Sequence, residues 1–187
     1  MLKTQYTTMK KIITLLWLAF ITAGLQAQKA QMLFYGIIEE GVLVDPSTDD
    51  ARDKKKQKPL KDVKIHVYAA GELVSSNASK ETGFYGVLLK SGGNYEVVFE
   101  KDGYFSKKYE LNCKNLEHPA DGSALKCPLD IDLFKAVDHA ELKEMCEKPY
   151  GICSVNRYEI QWNKEAMRKN KVKFYELAQP LYLQNEK

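Results

Sequence analysis

The dominant pattern between Leu33 and Phe134 is an alternation of apolar and polar residues with a period of two. Such alternation is typical of strands that bury one face of an antiparallel sheet and expose the other. The inward-facing positions that it predicts are Val63, Ile65, Val67, Tyr85, Val87, Leu89, Tyr95, Val97, Phe99, Phe105, Tyr109, Leu111, Leu129, Ile131 and Leu133. The pattern therefore predicts an all-β core.

Turn signals separate these short runs. The segment Ser91-Gly92-Gly93-Asn94 tolerates positive φ angles and predicts a hairpin between the strands on either side of it. Lys101-Asp102-Gly103 predicts a second turn. Several short strands at this spacing are typical of a β-sandwich.

The period changes after Phe134. Asp138, with Glu141 three residues later, predicts the start of a small helix that ends at Pro149. A hairpin is predicted around Asn156-Arg157, and Asn163 can cap a final helix that ends at Pro180. We therefore expect an antiparallel, Greek-key-like β-sandwich over residues 28–134 and a small α/β appendage over residues 135–187.

The N-terminal residues 1–27 have the pattern of a secretory signal peptide. Lys10 and Lys11 precede an apolar run from Ile12 to Ile21, which is too short to span a bilayer comfortably, and small residues lead to a cleavage site near Ala27. We expect an exported protein, periplasmic or associated with the outer membrane, whose mature chain has no transmembrane anchor. An uncleaved N-terminal helix is the alternative.

Charge limits the classes of partner. The net charge is only +3 and acids are interspersed with lysines, so nucleic acid is not an expected partner. The polar segment 46–58 holds a basic cluster that could contact anionic lipid, peptidoglycan carboxylates or an acidic protein, although such runs are more often solvated loops. The candidate interaction residues in it are Arg52, Lys54, Lys55, Lys56 and Lys58.

The four cysteines are Cys113, Cys127, Cys146 and Cys153. In an exported protein an even number of cysteines predicts disulfides, and three pairings are open. We favour Cys113 with Cys127 and Cys146 with Cys153, because each pair closes a short loop that contains Pro or Gly.

No catalytic or metal-binding pattern stands out. His66, His118 and His139 lack the spacing of a metal site or of a catalytic triad, and the cysteines lack the close pairs of a zinc site. We expect no enzyme activity, no metal and no cofactor.

The end of the chain is rich in aromatic residues that could contact carbohydrate or protein. The alternative is that most of them pack the appendage onto the sandwich. They are Tyr150, Tyr158, Trp162, Phe174 and Tyr175.

Five motifs occur in order along the chain: a glycine in the first strand (Gly36 or Gly41), Pro59-Leu60 before Val63 and Ile65, Thr82-Gly83-Phe84-Tyr85, Gly93-Asn94-Tyr95, and Gly103-Tyr104. Together they resemble the carboxypeptidase-regulatory-like domain, a transthyretin-like β-sandwich family. The stretch from Asp130 to Trp162 looks like an extension found in exported members from Bacteroidetes-type bacteria. The resemblance implies an accessory module without an active site. Two functions stay open: an interaction or assembly module that binds another cell-envelope protein, and a carbohydrate-binding module.

Overall fold

The computed structural model describes residues 29–43 and 57–185. The predicted signal peptide and the candidate interaction residues Arg52, Lys54, Lys55 and Lys56 lie outside these ranges. Ten strands and two helices form in the described part. They are β1 (Gln31–Glu40), β2 (Lys64–Ala69), β3 (Glu72–Ala78), β4 (Phe84–Lys90), β5 (Asn94–Glu100), β6 (Lys107–Leu116), β7 (Leu125–Pro128), β8 (Ile131–Leu133), α1 (Ala140–Glu147), β9 (Gly151–Arg157), β10 (Glu159–Trp162) and α2 (Lys164–Asn185).

The strands form two sheets that face each other. The small sheet has the order β4-β1-β7, with β8 also paired to β1, and the large sheet has the order β10-β9-β6-β5-β2-β3. The β-sandwich with a small helical appendage is therefore confirmed. The sheets are mixed rather than purely antiparallel, because β1 pairs in parallel with β7 and β8, and β6 pairs in parallel with β9.

Aromatic rings fill the space between the sheets. Phe34 and Tyr85 come from the small sheet, while Phe99 and Tyr109 come from the large one, and all four are at most 2% exposed. Their rings meet edge to face, with centroid distances of 5.5 Å for Phe34 and Tyr85, 5.0 Å for Tyr85 and Phe99, and 6.0 Å for Phe99 and Tyr109. This geometry suits the ring quadrupoles and holds the two layers together.

The hairpin predicted at Ser91-Gly92-Gly93-Asn94 is wrong. Strand β4 pairs with β1 in the small sheet, whereas β5 pairs with β2 and β6 in the large sheet. The turn therefore carries the chain from one layer to the other, so that the apolar sides of β4 and β5 face each other across the core. Strand β3, exposed along its whole length, was not predicted.

The C-terminal hairpin around Asn156-Arg157 is confirmed, and it belongs to the large sheet. Arg157 adopts a positive φ of 57° between β9 and β10. Strand β9 then lies beside β6, so this part of the predicted appendage continues the sandwich. Among the strands and helices of the described residues, only α1 and α2 stand outside the two sheets.

The helix ends differ in part from the prediction. The N-cap of α1 is His139 rather than Asp138, since His139 Nδ1 accepts the N–H of Leu142 at 3.4 Å. Asn163 caps α2 as predicted, with its Oδ1 3.0 Å from the N of Ala166. The predicted end at Pro180 is wrong, because α2 continues to Asn185.

A second, smaller cluster explains the length of α2. Its buried members are Phe105, Leu142, Phe174 and Ala178, and Leu181 and Tyr182 pack against it. The hydroxyl of Tyr182 also donates to the carbonyl oxygen of Lys135. The contacts of Ala178, Leu181 and Tyr182 come from the last turns of α2 and offset the missing N–H of Pro180.

Candidate docking surface

The outer side of the small sheet carries an apolar ladder. Across β1 and β4, Leu33 lies opposite Leu88, Tyr35 opposite Gly86, and Ile37 opposite Phe84. Ile37, Phe84 and Leu88 are 40%, 39% and 53% exposed. We call the side chains of Leu33, Tyr35, Ile37, Phe84 and Leu88 the outer apolar face.

A turn at Gly83 places Phe84 on this face. Gly83 has a φ of +73°, and a Cβ at this position would lie 2.4 Å from the carbonyl oxygen of Ile38. The carbonyl oxygen of Gly83 accepts the N–H of Ile38 at 2.9 Å. Glycine is therefore required here, because any side chain would push β4 away from β1.

Gly86 leaves a notch in the middle of the ladder. A Cβ placed on it would lie 3.7 Å from Leu33 Cδ1 and 3.9 Å from a ring carbon of Phe84. The two larger side chains therefore flank the notch without closing it. Backbone atoms of a partner could approach the sheet closely at this point.

The sequence already contained a signal for this face. Residues 32–38 of β1 and 84–89 of β4 are unbroken apolar or glycine runs, whereas β6 alternates. Unbroken runs are typical of strands that are covered on both faces. The prediction from the period of two identified only the inward-facing residues. It missed the outward-facing residues Leu33, Tyr35, Ile37, Phe84 and Leu88.

Three lysines surround the outer apolar face. Lys126 lies opposite Leu33 on β7, and Lys90 follows Leu88 on the same side of β4. The Nζ of Lys80 lies 5.5 Å from the centroid of the Phe84 ring. A complementary partner would bring apolar side chains for the centre and carboxylates for these ammonium groups.

The outer side of the large sheet carries more charged groups, although Ile152 on this side is 41% exposed. Lys108 pairs with Glu96 at 3.3 Å, and His66 lies 3.8 Å from Glu100. An open groove of about 550 Å³ runs across this side, and its lining includes Tyr68, Asn94, Glu96, Glu110, Asn112 and Ser154.

Of the predicted interaction loop, only Lys58 lies within the described residues. It is exposed, and its carbonyl oxygen accepts the N–H of Glu40 at 2.8 Å. This bond ties the end of the loop to β1. The role predicted for the loop stays a prediction.

Two of the histidines have defined partners in the structure. His66 is hydrogen-bonded to Ser76 and faces Glu100, while His139 caps α1. Within residues 29–43 and 57–185, no three His, Cys, Asp or Glu side chains come together as metal ligands. Likewise, no helix in these ranges is long and apolar enough to cross a bilayer.

The structure holds all four cysteines as free thiols, so neither predicted disulfide is present in it. Cys113, Cys127 and Cys153 are fully buried in the sandwich core. Cys146 lies instead against the helical cluster with Phe105 and Phe174. The structure therefore separates Cys146 from Cys153, because α1 and β9 place them in different clusters.

Most of the C-terminal aromatic residues pack inside the protein, in agreement with the alternative that they attach the appendage to the sandwich. Tyr150 and Trp162 pack against the sandwich core, and Phe174 is buried in the helical cluster. Tyr158, at 56%, is well exposed. The aromatic residues at the end of the chain therefore do not form a shared exposed surface.

Comparisons with known proteins do not identify a family. No protein-family model and no curated protein matches the chain. Among solved structures, it is similar to the Bacillus anthracis TIE protein, with 14% identity over 57% of this chain and a TM-score of 0.37. A 3-chlorocatechol 1,2-dioxygenase from Rhodococcus opacus has 12% identity over 59% and a TM-score of 0.39, and the shaft pilin SpaA from Lactobacillus rhamnosus has 13% over 59% and 0.37. The chain spans 18%, 62% and 52% of these three proteins, and the likeness says nothing about what it binds.

Proposed function

We propose that this protein is an exported, non-catalytic β-sandwich module that docks onto another protein of the bacterial cell envelope through its outer apolar face. The observation that carries the proposal is the ladder of three cross-strand pairs, Leu33 with Leu88, Tyr35 with Gly86, and Ile37 with Phe84. Contiguous exposed apolar residues of this kind mark interaction sites on soluble domains.

The chemistry of the partner follows from the surface. An apolar centre with a notch at Gly86 suits a strand or helix that carries aliphatic or aromatic side chains. The rim lysines, Lys80, Lys90 and Lys126, suit carboxylates beside that segment. Strand β4 pairs only with β1 in the described part of the chain, so its other edge could also accept a partner strand.

Export and family remain parts of the proposal. The signal-like pattern of residues 1–27 supports export to the periplasm or the outer membrane. The five ordered motifs support membership of the carboxypeptidase-regulatory-like family, whose accessory modules have no active site. The role of His139 as the N-cap of α1 is structural and supports a non-catalytic protein.

A site-specific cross-link tests the docking face. A photoreactive benzophenone amino acid is placed at Leu88 in the native cell envelope, and in a matched strain at Leu73 on β3. These two leucines are 53% and 55% exposed, so they differ in sheet rather than in accessibility. We expect one reproducible protein adduct from position 88 and none from position 73. Ile37→Asp in the same chain should lower the yield of that adduct at least tenfold, because a buried unpaired carboxylate costs several kcal/mol (roughly 2–4).

Three outcomes would overturn this docking proposal. An adduct from position 73 alone would move the surface to the edge of the large sheet. An adduct of twice the mass of the chain would make the partner a second copy. Binding to anionic phospholipid vesicles without any protein adduct would make the face a membrane contact.

Carbohydrate binding is the second candidate function. The open groove of the large sheet favours it, since Tyr68 lies there beside carboxylate, amide and hydroxyl groups. A glycan-binding sheet usually presents several aromatic rings on one face. The exposed aromatic residues Phe84 and Tyr158 belong to different sheets, which favours protein docking. Retention of the protein on peptidoglycan, lost in Tyr68→Ala but kept in Leu88→Asp, would reverse this preference.

A further inference from the structure

Three buried cysteines converge between the two sheets. Cys127 belongs to β7 of the small sheet, whereas Cys113 and Cys153 belong to β6 and β9 of the large sheet. All three have an exposure of 0%. A bond from Cys127 to either of the others would join the two layers of the sandwich.

The surrounding contacts bring Cys127 and Cys153 to the same part of the core. Cys127 lies beside Phe34 in the register of β1 and β7, and Trp162 lies opposite Cys153 in the register of β9 and β10. The rings of Phe34 and Trp162 meet across the core with centroids 6.1 Å apart. Cys127 and Cys153 thus each lie beside one of two rings that contact each other between the sheets.

The two thiols also interact with each other. A hydrogen bond joins the thiols of Cys127 and Cys153; it lowers the pKa of Cys127 and raises that of Cys153. The indole N–H of Trp162 donates a second hydrogen bond to Cys127. Burial, followed by the nearby Cys127, raises the pKa of Cys113 to about 12.

We infer that Cys127 and Cys153 form a disulfide that ties β7 of the small sheet to β9 of the large sheet. This pairing replaces both local pairs expected from the sequence. Cys113 remains a buried thiol beside the bond, and Cys146 remains a thiol in the helical cluster. The bond would stabilise a two-layer fold at the point where its sheets are otherwise joined only by packing.

The bond requires an oxidant that itself contains a disulfide, such as oxidised glutathione or a thiol-disulfide oxidoreductase. One thiolate attacks that disulfide, releases one thiolate of the oxidant and leaves a mixed disulfide. The second cysteine, after losing its proton, attacks the protein sulfur and releases the second thiolate. The two cysteines are oxidised by two electrons and the oxidant is reduced to two thiols. Because both sulfurs are buried in the folded protein, this exchange takes place before the sandwich closes.

Peptide mapping tests the pairing. The full chain is refolded in a buffer of reduced and oxidised glutathione, blocked with an alkylating agent and digested without reduction. Trypsin cuts poorly between Lys148 and Pro149, so a glutamyl endopeptidase that cuts at Glu147 is added to separate Cys146 from Cys153. We expect a linked pair of peptides that contain Cys127 and Cys153, with Cys113 and Cys146 alkylated.

A thermal measurement complements the map. Reduction should lower the Tm of the refolded wild type by about 5–12 °C, the shift expected for one disulfide in a chain of this size. Cys113→Ser should show the same shift on reduction, whereas Cys153→Ser should show none. A link from Cys113 to Cys127, a link from Cys146 to Cys153, or four alkylated thiols would overturn the inference.

Discussion

Two apolar surfaces of this sandwich differ in what covers them. The end of the sandwich near Phe105 and Phe134 lies under α2, whose Phe174 is 8% exposed. The outer apolar face of the small sheet has no such cover in the described chain, and Phe84 there is 39% exposed. The comparison shows that this chain uses a helix to cover one apolar surface, whereas the described residues leave the other one open.

The covered surface also shows what a complementary cover looks like. The Phe174 ring lies 4.7 Å from the Phe134 ring and 5.9 Å from the Phe105 ring, centroid to centroid. Polar atoms at its border are paired, for example Lys173 with Glu141 at 3.0 Å. We expect the partner of the outer apolar face to repeat this arrangement, with rings or aliphatic groups in the centre and carboxylates opposite the rim lysines.

The largest expected effect comes from truncating the two phenylalanines. Phe174→Ala removes a buried ring from three-ring packing and should lower the free energy of unfolding by about 3–4 kcal/mol. Phe84→Ala removes an exposed ring and should cost about 0.5–1 kcal/mol in the isolated protein, yet it should weaken docking. Urea unfolding of both variants measures the difference. Equal losses of stability would mean that Phe84 is as covered as Phe174.

A pH effect of intermediate size is expected at the covered end. Lys107 lies between the two clusters, with its Nζ 4.1 Å from the Tyr150 ring centroid, 5.9 Å from that of Phe134 and 3.0 Å from the carbonyl oxygen of Asp132. Burial lowers the pKa of this ammonium group from 10.5 to about 8. Between these pH values the unfolded chain binds a proton that the folded protein does not, so stability rises with pH.

Comparison with Lys107→Met isolates this contribution, because the other titrating groups are the same in both proteins. The free energy of unfolding of the wild type, relative to that of the variant, should increase by about 1–2 kcal/mol between pH 7 and pH 10. Urea titrations at four pH values measure it. A constant difference would show that Lys107 keeps its proton in the folded protein, as an exposed lysine does. The lysines beside the outer apolar face are exposed at its rim and are not buried as Lys107 is.

The sequence predicted the inward side of the sandwich well and its outer side poorly. The period of two correctly placed Val63, Ile65 and Val67 in the core, because one buried face is enough to impose alternation. The same rule cannot reveal a second apolar side, which shows as an unbroken run in β1 and β4. Strand β3 was missed because an exposed edge strand has no buried side, so its sequence need not alternate between apolar and polar residues.

Long-range placement explains the other differences. The turn at Ser91-Gly92-Gly93-Asn94 was visible, but whether it returns the chain to the same sheet or crosses to the other depends on which strands β4 and β5 meet. Likewise, the local pairs proposed for the cysteines rested on loop length alone. The convergence of Cys127 and Cys153 follows from the parallel pairings of β7 with β1 and of β9 with β6, which no local signal contains.

The smallest effect is expected from substituting two glycines. Gly151 lies on the surface covered by α2, and Gly86 lies on the open outer apolar face. At Gly151, a Cβ would lie 3.0 Å from Met167 Cγ on α2 and 3.1 Å from Tyr109 Cδ1, whereas at Gly86 the nearest atom would be 3.7 Å away. Gly151→Ala should therefore lower the free energy of unfolding by about 1 kcal/mol, since it overpacks a covered site. Gly86→Ala should leave stability within about 0.5 kcal/mol of the wild type, because the open notch has room for a methyl group. Urea unfolding checks both values, and the cross-link from Leu88 then checks the notch. If Gly86→Ala leaves the yield of the adduct unchanged, the partner does not bring its backbone into the notch, and the contact is carried by the flanking side chains alone.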